Sequence, residues 1–369
     1  MIGQMSIVGG QQTFMMNYFR HIDKSKFHVD FLGVHGYTSP YEEEIKSLGS
    51  NLYYWNDTFA FKELFANVTK LIKFIKEGNY DVVHSNIYIG NCWFLVAAKF
   101  AGVKIRISHS HCTFPLKEEN DGWLKGIYHS VIQKNLLLWA STKLLSCGIE
   151  AGKSIYGSHN FTVVNNSIDI TQYYYFNESS LIKIKEEFNI KTCDKVYASI
   201  SRFDENKNLS FAINVFKRIT EKQPDSVLLI GGAEPYEGST HNDIAAQVKE
   251  LNLVDKIRIL QTRKDLKDIF HIVDCWMLPS FHEGLPIIGI ELQAAGTPII
   301  ASSSITKEMD MGLGLVSYAS INNEDEWAEL VENTKKKIIS IEQVKRAYSI
   351  HGYNIEESVH ILENIYLGE

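Results

Sequence analysis

The sequence lacks several features that would place its 369 residues in a simple class of protein. It has no long basic run and a net charge of −7, which argues against a general nucleic-acid binder because binding phosphates requires clustered positive charge. No stretch reaches the roughly 18 uninterrupted apolar residues of a membrane span, and the amino terminus has no signal-peptide pattern. We therefore expect a cytoplasmic protein.

Cysteine is scarce and its spacing carries no metal or disulfide pattern. The five cysteines are far apart and odd in number: Cys92, Cys112, Cys147, Cys193 and Cys275. They form neither a CxxC pair nor a disulfide framework, which favours a reducing compartment.

Apolar runs of strand length alternate with amphipathic segments of helical period along the whole chain. Candidate strands of the first half are 28–34, 51–55, 80–85, 104–110, 143–147 and 161–164. After a polar stretch near 170–185, the pattern restarts with candidate strands at 195–201, 226–232, 256–260, 274–278, 297–302 and 314–318. This alternation predicts an α/β fold of two Rossmann-like domains, whose parallel sheets face each other across a cleft.

The length also favours two domains, since it is about two and a half times the ~150 residues expected for one. We expect an N-terminal domain over residues 1–175, joined by a C-terminal helix at 354–369, and a second domain over 176–353. In open parallel sheets the ligand lies at the carboxyl ends of the strands, so functional residues are expected in the loops that follow them.

Residues 277–300 contain the most informative of these loops. A strand ends before Glu283 and Gly284, and the helix that follows carries Glu291. A carboxylate beside a helix N-terminus can bind sugar hydroxyls while the free backbone N–H groups bind an anion. The alternative is a solvated loop glutamate and a surface helix glutamate. The apolar neighbours of Glu291 favour the functional interpretation, because an unpaired carboxylate is costly there.

Two cations flank a second strand-to-helix turn, within residues 198–208. Arg202 and Lys207 converge with a helix N-terminus, an arrangement that can neutralise a diphosphate and stabilise it as a leaving group. Solvated surface charges are the alternative interpretation of this pair.

The first half of the chain offers two weaker signals. Gly9 and Gly10 precede an amphipathic helix and allow close approach of the backbone to a ligand, although a simple turn is common and the pair does not match GxGxxG. His109 and His111 follow a strand, but no third ligand is suitably spaced, so we predict no metal site.

Together, in this order and spacing, these segments resemble the large retaining glycosyltransferase family numbered four, which has the GT-B fold. The most specific match is the E-x7-E motif from Glu283 to Glu291 in EGLPIIGIE. Supporting matches are GGQQTFMMN (9–17), CGIEAGKSIYG (147–157), NNSIDI (165–170) and SRFDENKN (201–208). The details look most like bacterial enzymes of capsular or exopolysaccharide synthesis.

This resemblance implies roles for the donor-binding residues of the second domain. Arg202 and Lys207 would grip the donor diphosphate, and Glu283 would bind the hydroxyls of the donor sugar and act in catalysis. Glu291 would bind the ribose. Arg263 falls where the backbone of the family cradles the base.

The remaining implied site residues are Gly284 and Leu285, which belong to the same donor-binding motif, and three residues of the first domain. His111, in the position of the family's H-G-T histidine, would lie near the donor sugar and the reacting centre as a catalytic residue. Gly9 and Gly10 would pass close to the phosphates and the acceptor.

The implied reaction is transfer of a hexose from a nucleotide-diphosphate sugar to a saccharide acceptor, with UDP as the expected carrier of the donor and a polyprenyl lipid as the expected carrier of the acceptor. The family needs no metal, no DxD sequence occurs here, and no cofactor is expected. A glycosidase would also use two carboxylates but would leave Arg202 and Lys207 unexplained. A nucleotide-sugar epimerase and a non-catalytic binding subunit stay open as alternatives. Residues 114–140 fit either a peripheral membrane helix or a helix packed on a sheet.

Three positions depart from the family pattern. Ser167 stands where the family has glycine, so it must adopt the glycine conformation or the turn must change. Gln261 follows Leu260 where the family has Leu-Gly. The chain also has at most a short strand before Gly9, so either the native start lies upstream of Met1 or residues 1–8 form a short strand in a less stable domain.

Overall fold

The computed structural model describes residues 1–6, 9–60, 62–87, 92–111, 128–232 and 238–369. The chain divides into two compact units: unit 1 contains Met1–Ile168 and Gly352–Glu369, and unit 2 contains Asp169–His351. Each unit has a parallel sheet with helices packed on it. The α/β fold with two parallel sheets that the sequence pattern predicts is therefore confirmed.

Unit 1 has a seven-stranded sheet in the order β3-β2-β1-β4-β5-β6-β7. Its strands are β1 Ile2–Gly3, β2 Phe31–Val34, β3 Leu52–Trp55, β4 Val82–Ser85, β5 Ile105–Ser110, β6 Lys143–Ser146 and β7 Thr162–Val163. Its helices are α1 Gly10–His21, α2 Glu42–Ser47, α3 Leu64–Glu77, α4 Cys92–Ala101, α5 Lys134–Ala140, α6 Ile149–Tyr156 and, at the end of the chain, α15 Ile355–Leu367. A π-helical turn, Tyr128–Gln133, precedes α5.

Strand β1 is short but lies at the centre of this sheet. It pairs in parallel with both β2 and β4. The Met1 carbonyl accepts from the N–H of Leu32 at 2.9 Å, and the Ile2 carbonyl accepts from the N–H of Asn86 at 2.8 Å. These bonds satisfy backbone groups that would otherwise be buried and unpaired.

Unit 2 has a six-stranded sheet in the order β10-β9-β8-β11-β12-β13. Its strands are β8 Lys195–Ser199, β9 Ser226–Gly231, β10 Ile257–Leu260, β11 Cys275–Leu278, β12 Ile299–Ser302 and β13 Val316–Ala319. Its helices are α7 Ile170–Tyr174, α8 Glu178–Glu187, α9 Leu209–Lys222, α10 His241–Glu250, α11 Leu266–Ile272, α12 Ile287–Ala294, α13 Glu324–Asn333 and α14 Ile341–His351.

Buried strands and one-sided helices explain the layers of unit 2. Every residue of β9, β11 and β12 is buried, as expected when helices cover both faces of a parallel sheet. Helix α9 buries Leu209, Ile213, Phe216 and other apolar residues at helical spacing, and this face packs on the sheet.

Each sheet reverses its strand order at one point, between β1 and β4 in unit 1 and between β8 and β11 in unit 2. At such a point the loops that follow the two strands diverge, which leaves a crevice at the carboxyl ends of the strands. Gly9 and Gly10 follow β1, whereas Arg202 and Lys207 follow β8 and Glu283 follows β11. The fold therefore places these predicted residues at the two crevices.

Ser167, which stands where the family pattern has glycine, does not adopt the positive φ that favours glycine. Ser167 is not among the described residues with positive φ. It is fully buried, its hydroxyl donates to Ser358 Oγ at 2.8 Å, and its carbonyl accepts from Asn17 Nδ2 at 3.0 Å.

The first part of the segment 114–140, up to residue 127, lies outside the described residues. The interpretation of this segment as a membrane-surface helix therefore stays a prediction. Its described end forms α5, in which Trp139 is half exposed and lies under the ammonium of Lys99. Among the described helices, none is long and apolar enough to span a bilayer.

Candidate active site

Two loops of unit 2 are joined at the carboxyl ends of β8 and β11. Asn206, in a short 3₁₀ turn after β8, donates from Nδ2 to the His282 carbonyl at 2.6 Å and accepts the His282 N–H at 3.1 Å through Oδ1. Asn208, in the left-handed region that asparagine tolerates, donates to the Pro279 carbonyl at 3.2 Å. These bonds fix the loop of Lys207 against the loop of Glu283.

An ion pair joins Lys207 and Glu283 across these loops. Lys207 Nζ binds Glu283 Oε1, and Ser280 Oγ donates to the same oxygen at 2.9 Å. The Lys207 and Glu283 side chains are only 20% and 15% exposed, so the pair is little screened by water. In the described part of the chain, Glu283 Oε2 has no hydrogen-bond partner, which leaves one carboxylate oxygen to accept from a ligand.

Arg202 is the most exposed charge of this group. Its side chain is 67% exposed, and its guanidinium lies 3.7 Å from Asp204 Oδ2, which is too long for a tight ion pair. Gly284 has open space around it, Leu285 packs on the apolar core, and Pro286 caps α12. The N-terminus of α12 therefore lies four residues after Glu283, at Ile287.

Glu291 lies on α12 in an apolar environment, as its neighbours in the sequence indicated. Tyr173 of α7 donates its phenolic hydrogen to Glu291 Oε1 at 2.9 Å, and the Tyr173 ring stacks on Phe270. Burial raises the pKa of Glu291 to about 7, and the hydrogen bond from Tyr173 opposes this shift. The charge of Glu291 therefore changes near neutral pH.

The Arg263 side chain is held by two carboxylates. Its guanidinium contacts both oxygens of Glu187 at 2.5 and 2.9 Å and both oxygens of Asp265 at 2.8 and 2.7 Å, and it lies over the ring of Phe188. These hydrogen bonds raise the pKa of Arg263. Because Glu187 and Asp265 already bind the side chain, contact with a nucleotide base stays a prediction for the backbone of this loop only.

The predicted residues of unit 1 come together through Asn86. Gly9 caps α1 in an extended conformation, and Gly10 is the first residue of the helix. Gln11 Nε2 donates to the Asn86 carbonyl, and Asn86 Oδ1 lies 2.9 Å from His111 Nε2. The start of α1 and His111 thus share one hydrogen-bonded neighbour at the carboxyl ends of β1, β4 and β5.

Three histidines lie in a row beneath this site. His84 Nε2 is 3.1 Å from His109 Nδ1, and His84 Nδ1 is 2.7 Å from the hydroxyl of Tyr366 on α15. The rings of His109 and His111 stack with centroids 4.2 Å apart. Burial lowers the pKa of all three histidines, and that of His111 falls to about 3, so the row is neutral near pH 7.

The three rings of this row are joined by a nitrogen-to-nitrogen contact and by ring stacking. Within the described ranges, no group of three or more histidine, cysteine, aspartate or glutamate side chains is arranged to hold a metal ion. His84 and His109 turn nitrogens toward each other instead of toward a common point.

Sequence reasoning missed Tyr173, Asn86 and His84. Tyr173 lies in the polar stretch between the domains, where no motif marks it. His84 is the second-last residue of the candidate strand 80–85, and a histidine near the carboxyl end of a buried strand was a signal that could have found it.

Two family models match the chain. The model described as Glycosyltransferase Family 4 matches residues 8–145, and the model described as Glycosyl transferases group 1 matches residues 182–312. The first covers the start of α1 and His111, and the second covers Arg202, Lys207 and the E-x7-E motif. Each model covers just over a third of the chain, one in each half, and together they identify the chain as a glycosyltransferase, a transferase enzyme.

Several relatives agree with this assignment along most of the chain. The chain is 29% identical to the glycosyltransferase EpsF of Bacillus subtilis, over 97% of this chain and 93% of that protein. It is 26% identical to an Escherichia coli protein named UDP-Gal:alpha-D-GlcNAc-diphosphoundecaprenol alpha-1,3-galactosyltransferase, over 82% of this chain and 79% of that one.

The fold is also that of a solved structure, Anabaena HepE in complex with UDP and glucose. The likeness has a TM-score of 0.77 at 14% identity and covers 100% of this chain and 98% of HepE. At this identity the likeness shows the fold alone, which is the GT-B type expected from the sequence.

Proposed function

We propose that the protein transfers a hexose from UDP-hexose to a saccharide on a diphosphate-linked lipid, with retention of the anomeric configuration, in synthesis of a bacterial exopolysaccharide or capsule. The observation that carries this proposal is the Lys207–Glu283 pair at the crevice of unit 2, with one carboxylate oxygen left for a sugar hydroxyl. The name of the Escherichia coli galactosyltransferase relative, which includes a diphosphoundecaprenol-linked sugar, supports the choice of acceptor.

The charges of this crevice suit a diphosphate without a metal ion. Lys207 and Arg202 are cations on one loop, and the loop of Glu283, which pairs with Lys207, leads into the N-terminus of α12 at Ile287. A lysine ammonium, an arginine guanidinium and a helix N-terminus all stabilise phosphate oxygens. They would stabilise the charge that develops as UDP leaves, which is the role of a metal in enzymes that need one.

The reaction in this proposal takes place on one face of the sugar. The bond between the anomeric carbon and the β-phosphate oxygen breaks, the acceptor oxygen forms the new bond from the same side, and the leaving phosphate takes the proton of the acceptor hydroxyl. Glu283 positions the sugar in this scheme and is not the covalent nucleophile. UDP and the lengthened saccharide are the products.

In unit 1, His111 acts in this scheme as a neutral hydrogen-bonding group. With its pKa lowered to about 3 by burial, His111 carries no charge at neutral pH, and Asn86 orients its ring. A neutral imidazole can donate and accept hydrogen bonds with hydroxyl groups.

A transfer assay tests the proposal. The purified protein is incubated with UDP-glucose, UDP-galactose or UDP-N-acetylglucosamine and a synthetic lipid-diphosphate saccharide, with and without EDTA. We expect one donor to give a lengthened product whose new linkage has the anomeric configuration of the donor by NMR, at a rate that EDTA leaves unchanged. An inverted linkage or loss of activity with EDTA would contradict that part of the proposal.

The same assay separates the two alternatives. An epimerase would convert the UDP-sugar in the absence of any acceptor. A binding subunit would show a donor-dependent rise in melting temperature, because a ligand of the folded state stabilises it, but would release no UDP.

A further inference from the structure

A polar cavity lies in unit 2 at the opposite ends of the sheet strands from Lys207 and Glu283. It has a volume of about 250 Å³ and is lined by the end of α8, residues 190–196, the end of α11 with Asp274, and Lys336. These segments surround the amino ends of β8 and β11, whereas the candidate donor loops follow the carboxyl ends of the same strands. We call this cavity the lysine pocket.

The lysine pocket is positively charged. Its charged lining residues are four lysines and two aspartates: Lys185, Lys191, Lys195, Lys336, Asp194 and Asp274. Both aspartates accept backbone hydrogen bonds, Asp194 from the N–H of Lys191 at 2.7 Å and Asp274 from the N–H of Val196 at 2.9 Å. The lining therefore has an excess of two positive charges, although the chain as a whole carries −7.

The ammonium groups of the lysine pocket keep donors free. Lys336 uses one N–H on the carbonyl of His271 at 2.7 Å, and Lys195 lies 3.5 Å from Asp274 Oδ1. Within the part of unit 2 that the structure describes, Lys185 and Lys191 form no ion pair with a carboxylate. An ammonium has three donors, so each of these groups can bind an incoming anion.

The lysines also repel one another. Burial lowers the pKa of Lys336, Asp274 opposes this shift, and the charges of Lys185 and Lys195 add to the lowering. A bound anion would remove this repulsion, because an opposite charge stabilises the charged form of each lysine.

We propose that the lysine pocket binds a small free anion that carries phosphate groups, of the size of pyrophosphate or a sugar phosphate. At roughly 30 Å³ for each water molecule, the cavity holds about eight waters. Its volume is smaller than that of a typical drug-sized site. Lysine ammonium groups bind phosphate as point charges, and net charge and volume together match a compact anion.

Calorimetric titration of the full chain with pyrophosphate at constant ionic strength tests this proposal. Saturating UDP is present throughout, so that the donor crevice is already occupied. We expect saturable binding that weakens at least about tenfold in the double variant K185Q/K336Q, since two charged donors are lost. The matched control K335Q removes the neighbouring exposed lysine, which does not line the pocket, and should change the affinity less than about twofold. K191Q, an exposed position at the rim, gives a second test that does not disturb the fold.

Three results would overturn the proposal: no saturable binding in the presence of UDP, equal weakening in K335Q and K185Q/K336Q, or no weakening in either K185Q/K336Q or K191Q. A flotation arm with phosphatidate vesicles distinguishes a lipid headgroup from a free anion. Binding to vesicles without binding of pyrophosphate would likewise contradict a pocket for a free anion.

Discussion

Replacing Tyr173 by phenylalanine should make donor binding strongly pH-dependent. Tyr173 donates to Glu291 Oε1 at 2.9 Å, and this bond stabilises the ionised carboxylate whose pKa burial raises to about 7. A hydrogen bond to a charged group contributes about 1.5–3 kcal/mol, and one pKa unit corresponds to about 1.4 kcal/mol. The variant should therefore shift the pKa of Glu291 upward by about one to two units, to roughly 8.5.

The expected loss of donor affinity follows if the ionised form of Glu291 binds the ribose hydroxyls. At pH 7.5, Glu291 is about three-quarters ionised in the wild type and about one-tenth ionised in the variant, so UDP should bind roughly eightfold more weakly. At pH 9 the ionised fractions are about 99% and roughly three-quarters, and the difference should fall to about 1.3-fold.

The prediction is tested by measuring the Kd for UDP and the KM for the donor from pH 6 to 9, in the wild type and in Y173F. Y174F is a matched control, because Tyr174 lies on the same helix but donates to the Ile339 carbonyl. Equal UDP affinity in Y173F and wild type at every pH, or a defect that does not shrink at pH 9, would refute the reasoning.

Three further predictions concern other parts of the molecule. R263A should lower the free energy of unfolding by about 1–2 kcal/mol at pH 7 by thermal denaturation; because Arg263 lowers the pKa of its partner Asp265, this loss should begin to shrink as the pH falls into the ordinary aspartate range and should vanish only below the lowered pKa, and a loss that does not shrink at all between pH 7 and pH 3 would contradict it. G289A should destabilise by about 1–3 kcal/mol, since a Cβ would lie 2.0 Å from a methionine sulfur, whereas G284A, in open space, should leave Tm unchanged; the opposite order would be inconsistent with the packing. H111A should lower kcat about tenfold through loss of a hydrogen bond, without changing the shape of the pH profile above pH 5, because His111 is already neutral there; a wild-type break near pH 6 that is lost in H111A would count against a neutral role.

The sequence predicted the fold because apolar periodicity determines strands and helices locally. The runs around Val82–Ser85 and Cys275–Leu278 are recognisable as buried strands, and the alternation with helices implies parallel sheets. The length of β1 was harder to judge, because its two residues are held by neighbours that are distant in sequence.

The candidate site was predictable only where a motif marks it. Glu283, Glu291 and Lys207 belong to recognisable segments, but the ion pair between Lys207 and Glu283 depends on loops 76 residues apart. The contact of Tyr173 with Glu291 spans 118 residues, and no local pattern reports such a contact. The carboxylates around Arg263 escaped prediction for the same reason.

The central claim is that UDP-hexose bound at the Lys207–Glu283 loops is the donor for transfer. The most direct measurement is the initial rate of hexose transfer from UDP-hexose to the lipid-diphosphate saccharide in E283A, with E308A at an exposed glutamate of the same unit as control. Loss of a group that positions the reacting sugar should lower the rate by about 10²–10³-fold, with Tm within a few degrees of wild type and E308A fully active. An E283A protein that folds and keeps more than about a tenth of the wild-type rate would contradict the claim, because less than about 1.4 kcal/mol of barrier would then depend on Glu283.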